Sequence, residues 1–216
     1  MVAGVIVAGG LGTRAGGNLP KQFQKINKKE IYRFSIDKFL ESDKIDTIVF
    51  VSHRQWISQV ADRYPDIIVC EGGTSRRQSV SNGLDRCPSG TDKVLIHDAA
   101  RPFIDLEIID KLIAALDYND ASAPYLNLND SVIHDDGTKL SRIDRDSLKA
   151  IQTPQAFKKH IISDIISTNE SISDEIGLLI NLTGDSGVKL IKGKQIYNKI
   201  TTKLDFRYAQ CYGKLL

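Results

Sequence analysis

Two glycine-rich segments that carry cations are the first sign of chemistry. Ala8-Gly9-Gly10-Leu11-Gly12-Thr13-Arg14 follows an apolar run and leads to Pro20-Lys21-Gln22. Glycines let backbone N–H groups approach a phosphate, and Arg14 and Lys21 supply charge to balance it. The spacing is not GxGxxG, because Arg14 stands where that pattern wants a small residue, and it is not the GxxxxGK(S/T) P-loop. A dinucleotide dehydrogenase is therefore a weak reading. A glycine turn alone would be only a turn; two cations on the same loop point to a triphosphate site. Glu71-Gly72-Gly73-Thr74-Ser75-Arg76-Arg77-Gln78-Ser79 repeats the theme ahead of a helix, whose N-terminus favours anions. Alone, this segment reads equally well as a polar strand-to-helix connection. Ile96-His97-Asp98-Ala99-Ala100-Arg101-Pro102 sets a carboxylate at a strand end, where a divalent cation or a ribose would be held. A mutual Asp98–Arg101 ion pair is the bland alternative. His97 reads as a structural histidine and takes no catalytic role. Asp144-Arg145, Gln152-Thr153-Pro154-Gln155, Ser173-Asp174-Glu175 and Asn198-Lys199-Ile200-Thr201 are each unremarkable singly.

Positioning these groups takes a regular frame. Val2–Ala8 is a continuous apolar run, the signature of a strand buried on both faces of a parallel sheet. The pattern then predicts a helix over 30–41, a strand over 45–52, a helix over 55–63, a strand over 66–70 and a helix over 75–84. A strand follows over 93–97, then a helix capped by Asp105 and a strand over 121–128. This alternation means βαβ units and a mostly parallel central sheet in a single Rossmann-like α/β domain spanning 1–216. The rhythm breaks from about 129 to 150, a polar stretch with Asp135-Asp136-Gly137 as a turn signal. It reads as a protruding β-hairpin arm, which needs something to pack on, such as a second subunit. A helix from about Phe157 to Thr168, a shorter one from Asp174, a strand over 188–191 and a helix from about Lys203 complete the chain.

Composition narrows the class. The 216 residues carry 29 Lys plus Arg against 27 Asp plus Glu, a net charge of +2, which argues against binding nucleic acid through bulk charge. Cys70, Cys87 and Cys211 form no pair at metal-ligand or redox spacing and fit a reducing compartment. No apolar run reaches the roughly 20 residues of a membrane span, and the N-terminal run lacks a basic leader, so a cytoplasmic location is expected.

Taken in order, AGGxGxR, PKQ, EGGxxR, HDAARP, DR, QTPQ and KITT resemble the 2-C-methyl-D-erythritol 4-phosphate cytidylyltransferase family of glycosyltransferase-A-like nucleotidyltransferases. The likeness runs from the first strand to about Phe206. It implies transfer of CMP from CTP to methylerythritol 4-phosphate with release of pyrophosphate, a step of non-mevalonate isoprenoid synthesis that requires magnesium (Mg2+). It implies catalytic roles for Arg14, Lys21 and Lys199. Ala8, Gly9, Gly10, Gly12, Gly73, Arg76, Ser79, Asp98, Ala99 and Arg101 match nucleotide-binding positions, with Asp98 the candidate metal ligand. Ser131, Thr153 and Asp174 match the acceptor side, and Arg145 matches an arginine reaching the acceptor phosphate from the arm of a partner subunit in a homodimer. The partners implied are thus CTP and a polyol phosphate, with neither nucleic acid nor membrane. Several positions depart from the family pattern: Ser131 for Thr, Ile133 for Lys, Ser173 for Thr, Tyr197-Asn198-Lys199 for Asn-Ile-Lys and Ala15 for Met. The first four fall near the acceptor. A cytidylyltransferase for another polyol phosphate, such as ribitol 5-phosphate, is the runner-up. A non-catalytic nucleotide-binding homologue is a third reading, opposed by the presence of both Arg14 and Lys21.

Overall fold

Residues of alternating direction along one buried strand set up two cores. The computed structural model describes residues 1–10, 19–168, 174–184 and 187–214. In β1 (Val2–Ala8), Ile6 and Ala8 enter one hydrophobic cluster and Ala3, Val5 and Val7 enter another. Successive side chains of a strand point to opposite faces, so an unbroken apolar run is what a strand with two buried faces requires. β1 lies between β4 (Thr47–Ser52) and β6 (Lys93–Asp98), with β5 (Ile68–Glu71) beyond β4, all parallel. Helix α1 (Ile31–Leu40) buries Tyr32, Ile36 and Phe39, and α4 (Leu106–Ala115) buries Ile109 and Leu112, in the first cluster. Helix α3 (Arg76–Leu84) adds Val80 and Leu84 to the second. There Gly83 lets the helix touch the sheet: a Cβ at this position would sit 2.6 Å from Val5 Cγ1. Helix α2 (Ile57–Arg63) contributes Val60 to the first cluster.

The sheet continues from β6 through β11 (Gln155–Lys158) to β7 (Ala121–Asn127), with β10 (Lys149–Ile151) and β12 (Val188–Lys192) also paired to β7. β11 runs antiparallel to both β6 and β7, inside an otherwise mostly parallel sheet. This corrects two expectations. Phe157 belongs to β11, and helix α5 starts only at Lys159 (Lys159–Ser167). Lys149 and Ala150 belong to the main sheet, so the arm ends before them. A four-residue strand running straight into a helix shows no period of its own, which is why a pattern reading merges the two.

The arm consists of β8 (Val132–Asp135) and β9 (Leu140–Ile143), a separate two-stranded sheet in register Val132↔Ile143. Its turn falls at the expected place. Gly137 takes a left-handed φ of 83°, and the Asp136 carboxylate accepts from the N–H groups of Thr138 and Lys139. Ile133 and Leu140 on the arm are more than half exposed. Helix α6 (Glu175–Thr183) follows Asp174, whose side chain caps it by accepting from Gly177 N–H. The terminal helix α7 (Lys203–Tyr212) opens with a Thr202–Asp205 capping box. It is tied to the hairpin of β2 (Lys25–Ile26) and β3 (Lys29–Glu30) by Asn27 Nδ2 donating to the Gln210 carbonyl.

Candidate active site

The parallel strands all deliver their carboxyl ends to one edge of the sheet, where open α/β folds bind ligands. The chain leaving β1 and the chain leaving β5 meet there. An added Cβ on Gly72 would lie 3.3 Å from Gly9 Cα, a tight contact, so the absence of a side chain there helps the two loops to pass. Gln22 fixes the first loop: its Nε2 donates to the carbonyls of Ala8 and Gly10 at 2.6 and 2.7 Å. Ser79 fixes the second: its Oγ accepts from Gly73 N–H at 3.1 Å and donates to the Ser75 carbonyl. Ser75 caps α3 by accepting from Gln78 N–H, so Arg76 is the first residue of that helix. Between these loops and the end of β6 lies a cavity of about 970 Å3.

Most of the residues singled out from sequence converge on this cavity. Ala8, Gly9, Gly10, Lys21, Gly73, Arg76, Ser79, Asp98, Ala99 and Lys199 all line it. Arg14 and Gly12 lie outside the described residues. Arg101, Thr153 and Asp174 are not among the lining residues. Arg101 instead donates from its guanidinium to the Tyr197 carbonyl at 2.9 Å, tying the chain before Lys199 to the end of β6. Thr153 is buried, and its Oγ1 accepts from Asp98 N–H at 3.1 Å. Ser131 and Arg145 line a separate hollow of about 520 Å3 on the arm. Arg145 is half exposed there and donates to the Asn129 carbonyl.

Asp98 is the electrostatic centre. Its Oδ1 accepts from Arg76 Nε at 3.0 Å and its Oδ2 from Lys199 Nζ at 2.7 Å. The expected alternative, a bond to Arg101, is not the one formed. Burial would raise the carboxyl's pKa, but Arg76 and Lys199 reverse that and hold it well below the usual carboxylate range. Arg76 also meets the buried Glu175 carboxylate. Burial works against its charge, yet Asp98 and Glu175 together strengthen the guanidinium's hold on its proton. With each Asp98 oxygen already held by a cation, this carboxylate does not fit a protein-built magnesium site. Among the described residues no cluster of three His, Cys, Asp or Glu could hold a metal.

His97, beside Asp98, is fully buried. Its Nε2 lies 3.1 Å from the Arg101 carbonyl, which can only accept, so Nε2 carries the proton. Nδ1 is then the acceptor for the Thr153 hydroxyl at 3.1 Å. Burial pushes the ring's pKa down to about 3 from 6.5. The native protein therefore leaves this ring neutral where the unfolded chain protonates it. Stability from His97 is complete above pH 6.5 and falls as pH drops towards 3, by about 1.4 kcal/mol per pH unit. Urea titrations between pH 7 and 4 should show this slope, and the His97 ring resonances should not titrate above pH 4. A ring that titrates near 6.5 would contradict it.

Two residues of the site were not assigned roles from sequence. Gln22 sits in a quoted motif, but only the folded loop shows that its amide binds the carbonyls flanking Gly9. Glu175 had a faint signal, an acidic residue in the first turn of a helix, which ordinarily needs no explanation beyond the helix dipole.

A glycine loop, a helix N-terminus and several cations gathered at the carboxyl edge of a mostly parallel sheet define an α/β nucleotide-binding protein of the nucleotidyltransferase type. The family model for 2-C-methyl-D-erythritol 4-phosphate cytidylyltransferase, IspD, matches residues 2–214. The chain belongs to that family. It is 37% identical to the 2-C-methyl-D-erythritol 4-phosphate cytidylyltransferase of Caldicellulosiruptor bescii, over 95% of this chain and 94% of the relative. It is 35% identical to the enzyme of the same name from Roseobacter denitrificans, over 97% and 95%. The crystal structure of 4-diphosphocytidyl-2C-methyl-D-erythritol synthase from Anaerococcus prevotii superposes with a TM-score of 0.88 at 26% identity, covering 99% of this chain and 96% of that one.

Proposed function

We propose that this protein transfers CMP from CTP to 2-C-methyl-D-erythritol 4-phosphate, giving 4-diphosphocytidyl-2-C-methyl-D-erythritol and pyrophosphate. The observation that carries this reading is the gathering of Lys21, Arg76 and Lys199 around one cavity with the Gly9–Gly10 and Gly73 backbones, in a member of this family. An acceptor phosphate oxygen attacks the α-phosphorus of CTP in line. The bond to the bridging oxygen of the β-phosphate breaks, and pyrophosphate leaves with that electron pair. Both reactants are anions, so catalysis consists of holding them together and neutralising them. No protein nucleophile is needed. Arg14 and Lys21 would balance charge on the triphosphate as it builds in the transition state, and Lys199 would face the acceptor. Magnesium would enter as the salt of the triphosphate, held by phosphate oxygens and water, in keeping with its reluctance to shed water. Arg145 and Ser131 would serve the active site of a second subunit through the arm. No described helix is long and apolar enough to cross a membrane, and work in the cytoplasm would suit a nucleotide-dependent step.

The test is pyrophosphate release with CTP against a panel of polyol phosphates. Methylerythritol 4-phosphate should be the preferred acceptor, and CTP should exceed UTP and ATP by on the order of 100-fold or more, because a pocket built on one base's polar edge leaves groups unpaired with another. Preference for ribitol 5-phosphate would move the protein to the sister activity. Nucleotide binding without turnover on any acceptor would make it a binding homologue.

A further inference from the structure

Glu175 is 3% exposed, a charged side chain that burial alone should penalise. One carboxylate oxygen meets Arg76, and Oε2 is buried without a hydrogen-bond partner. Arg76 is thus shared between Glu175 and Asp98, while Asp98 is shared between Arg76 and Lys199. The four groups form a linear chain of alternating charge, Glu175–Arg76–Asp98–Lys199, that joins α6, α3, β6 and the segment before α7. Its net charge is zero, so no member is a surplus ion. Neighbouring Arg77 secures the same region from the other side, donating to the Ile166 carbonyl at the end of α5.

From this arrangement we infer that Glu175 is a positioning residue, which satisfies Arg76 so that one oxygen of Asp98 stays available to hold Lys199. Arg76 meets Asp98 through Nε and Glu175 through Nη1. With Glu175 uncharged the guanidinium's charge is left to Asp98 alone, and that carboxylate can close a bidentate pair by turning its second oxygen onto the Nη2 beside Nε. Removing the Glu175 charge therefore turns Asp98 towards Arg76 and releases the Lys199 ammonium. Lys199 is the cation assigned to the acceptor side, so this inference rests on the proposed function for its consequence in turnover, but not for its effect on Lys199 itself.

The test uses Glu175→Gln, which keeps the shape and an oxygen facing Arg76 while its NH2 takes the place of the unpartnered Oε2. In the substrate-free protein, acetylation of Lys199 by an N-hydroxysuccinimide ester, followed by mass spectrometry, should accelerate about threefold or more. Lys194, held by Asp105 and Glu107, is the internal control and should not change. In turnover, Glu175→Gln should lower kcat/KM for the acceptor on the order of 10- to 100-fold. The same change in a Lys199→Ala background should cost less than about twofold, since its effect runs through Lys199. An unchanged Lys199 acetylation rate overturns the inference. So does a full additional loss in the Lys199→Ala background, which would mean that Glu175 only anchors α6. A wild-type protein that releases no pyrophosphate would instead defeat the proposed function and leave the acetylation result to decide this one.

Discussion

Replacing Lys21 by alanine should lower kcat on the order of 100- to 1,000-fold while leaving CTP affinity nearly unchanged. The side chain lines the cavity, and its backbone is set by its neighbours. Pro20 precedes it with a fixed φ, Lys21 opens a short 3-10 turn, and Gln22 is buried and bonded to the carbonyls on either side of Gly9. A cation carried on a backbone fixed in this way reorganises less as negative charge grows on the transferring phosphoryl group, and that is where preorganised charge acts most strongly. Ground-state CTP is also held by the loop amides and other cations, so its binding loses less. Steady-state pyrophosphate release together with calorimetric CTP titration separates the two. An unchanged kcat with a raised KM would assign Lys21 to uniform binding.

The second large effect concerns assembly. Arg145 lies in the arm's own hollow, not in the cavity that holds Lys21, and the arm exposes Ile133 and Leu140. A two-stranded hairpin has marginal stability alone, so an arm of this kind is expected to rest on a partner. If a closed two-fold dimer brings Arg145 of one subunit to the cavity of the other, Lys21→Ala and Arg145→Ala proteins should each be nearly inactive. Unfolding them together and refolding should restore activity. Random pairing makes half of the dimers mixed, and each mixed dimer has one intact site of two, so about a quarter of wild-type activity should return. If each site draws both residues from one chain, every site carries a lesion and nothing returns. A monomer in sedimentation at micromolar concentration would refute the arrangement as well.

Much of the nucleotide side was legible because it is local. Gly9, Gly10 and Gly73 are adjacent to strand ends, and a short loop after a parallel strand has only one edge of the sheet to occupy. Asp105 announced its helix by capping chemistry and caps it as expected, whereas Ser75, read as the start of a helix, is the cap of α3. The acceptor side was less legible. Thr153 matched an acceptor position, yet its hydroxyl is spent on Asp98 N–H and His97. On the nucleotide side, the alternative pairing of Arg101 with Asp98 three residues away does not form, and Arg101 reaches the Tyr197 carbonyl, 96 residues along the chain. Strand β11 was lost because four residues next to a helix leave no periodic trace.

Composition, hydrophobic period and the glycine–cation loops determined by themselves the α/β class and the edge of the sheet at which the cavity opens, and they pointed to a phosphate-bearing ligand. These properties follow from neighbours in sequence, where strand pleat, helix caps and glycine freedom act over a few residues. Only the tertiary structure decided which charges pair. Asp98 could have met Arg101 or any other cation brought near it; the fold brings Arg76 of α3, Glu175 of α6 and Lys199 of the segment before α7 into one chain with it. Charge pairing depends on distances across the fold and on burial, which strengthens each surviving contact, and neither can be read from spacing along the chain.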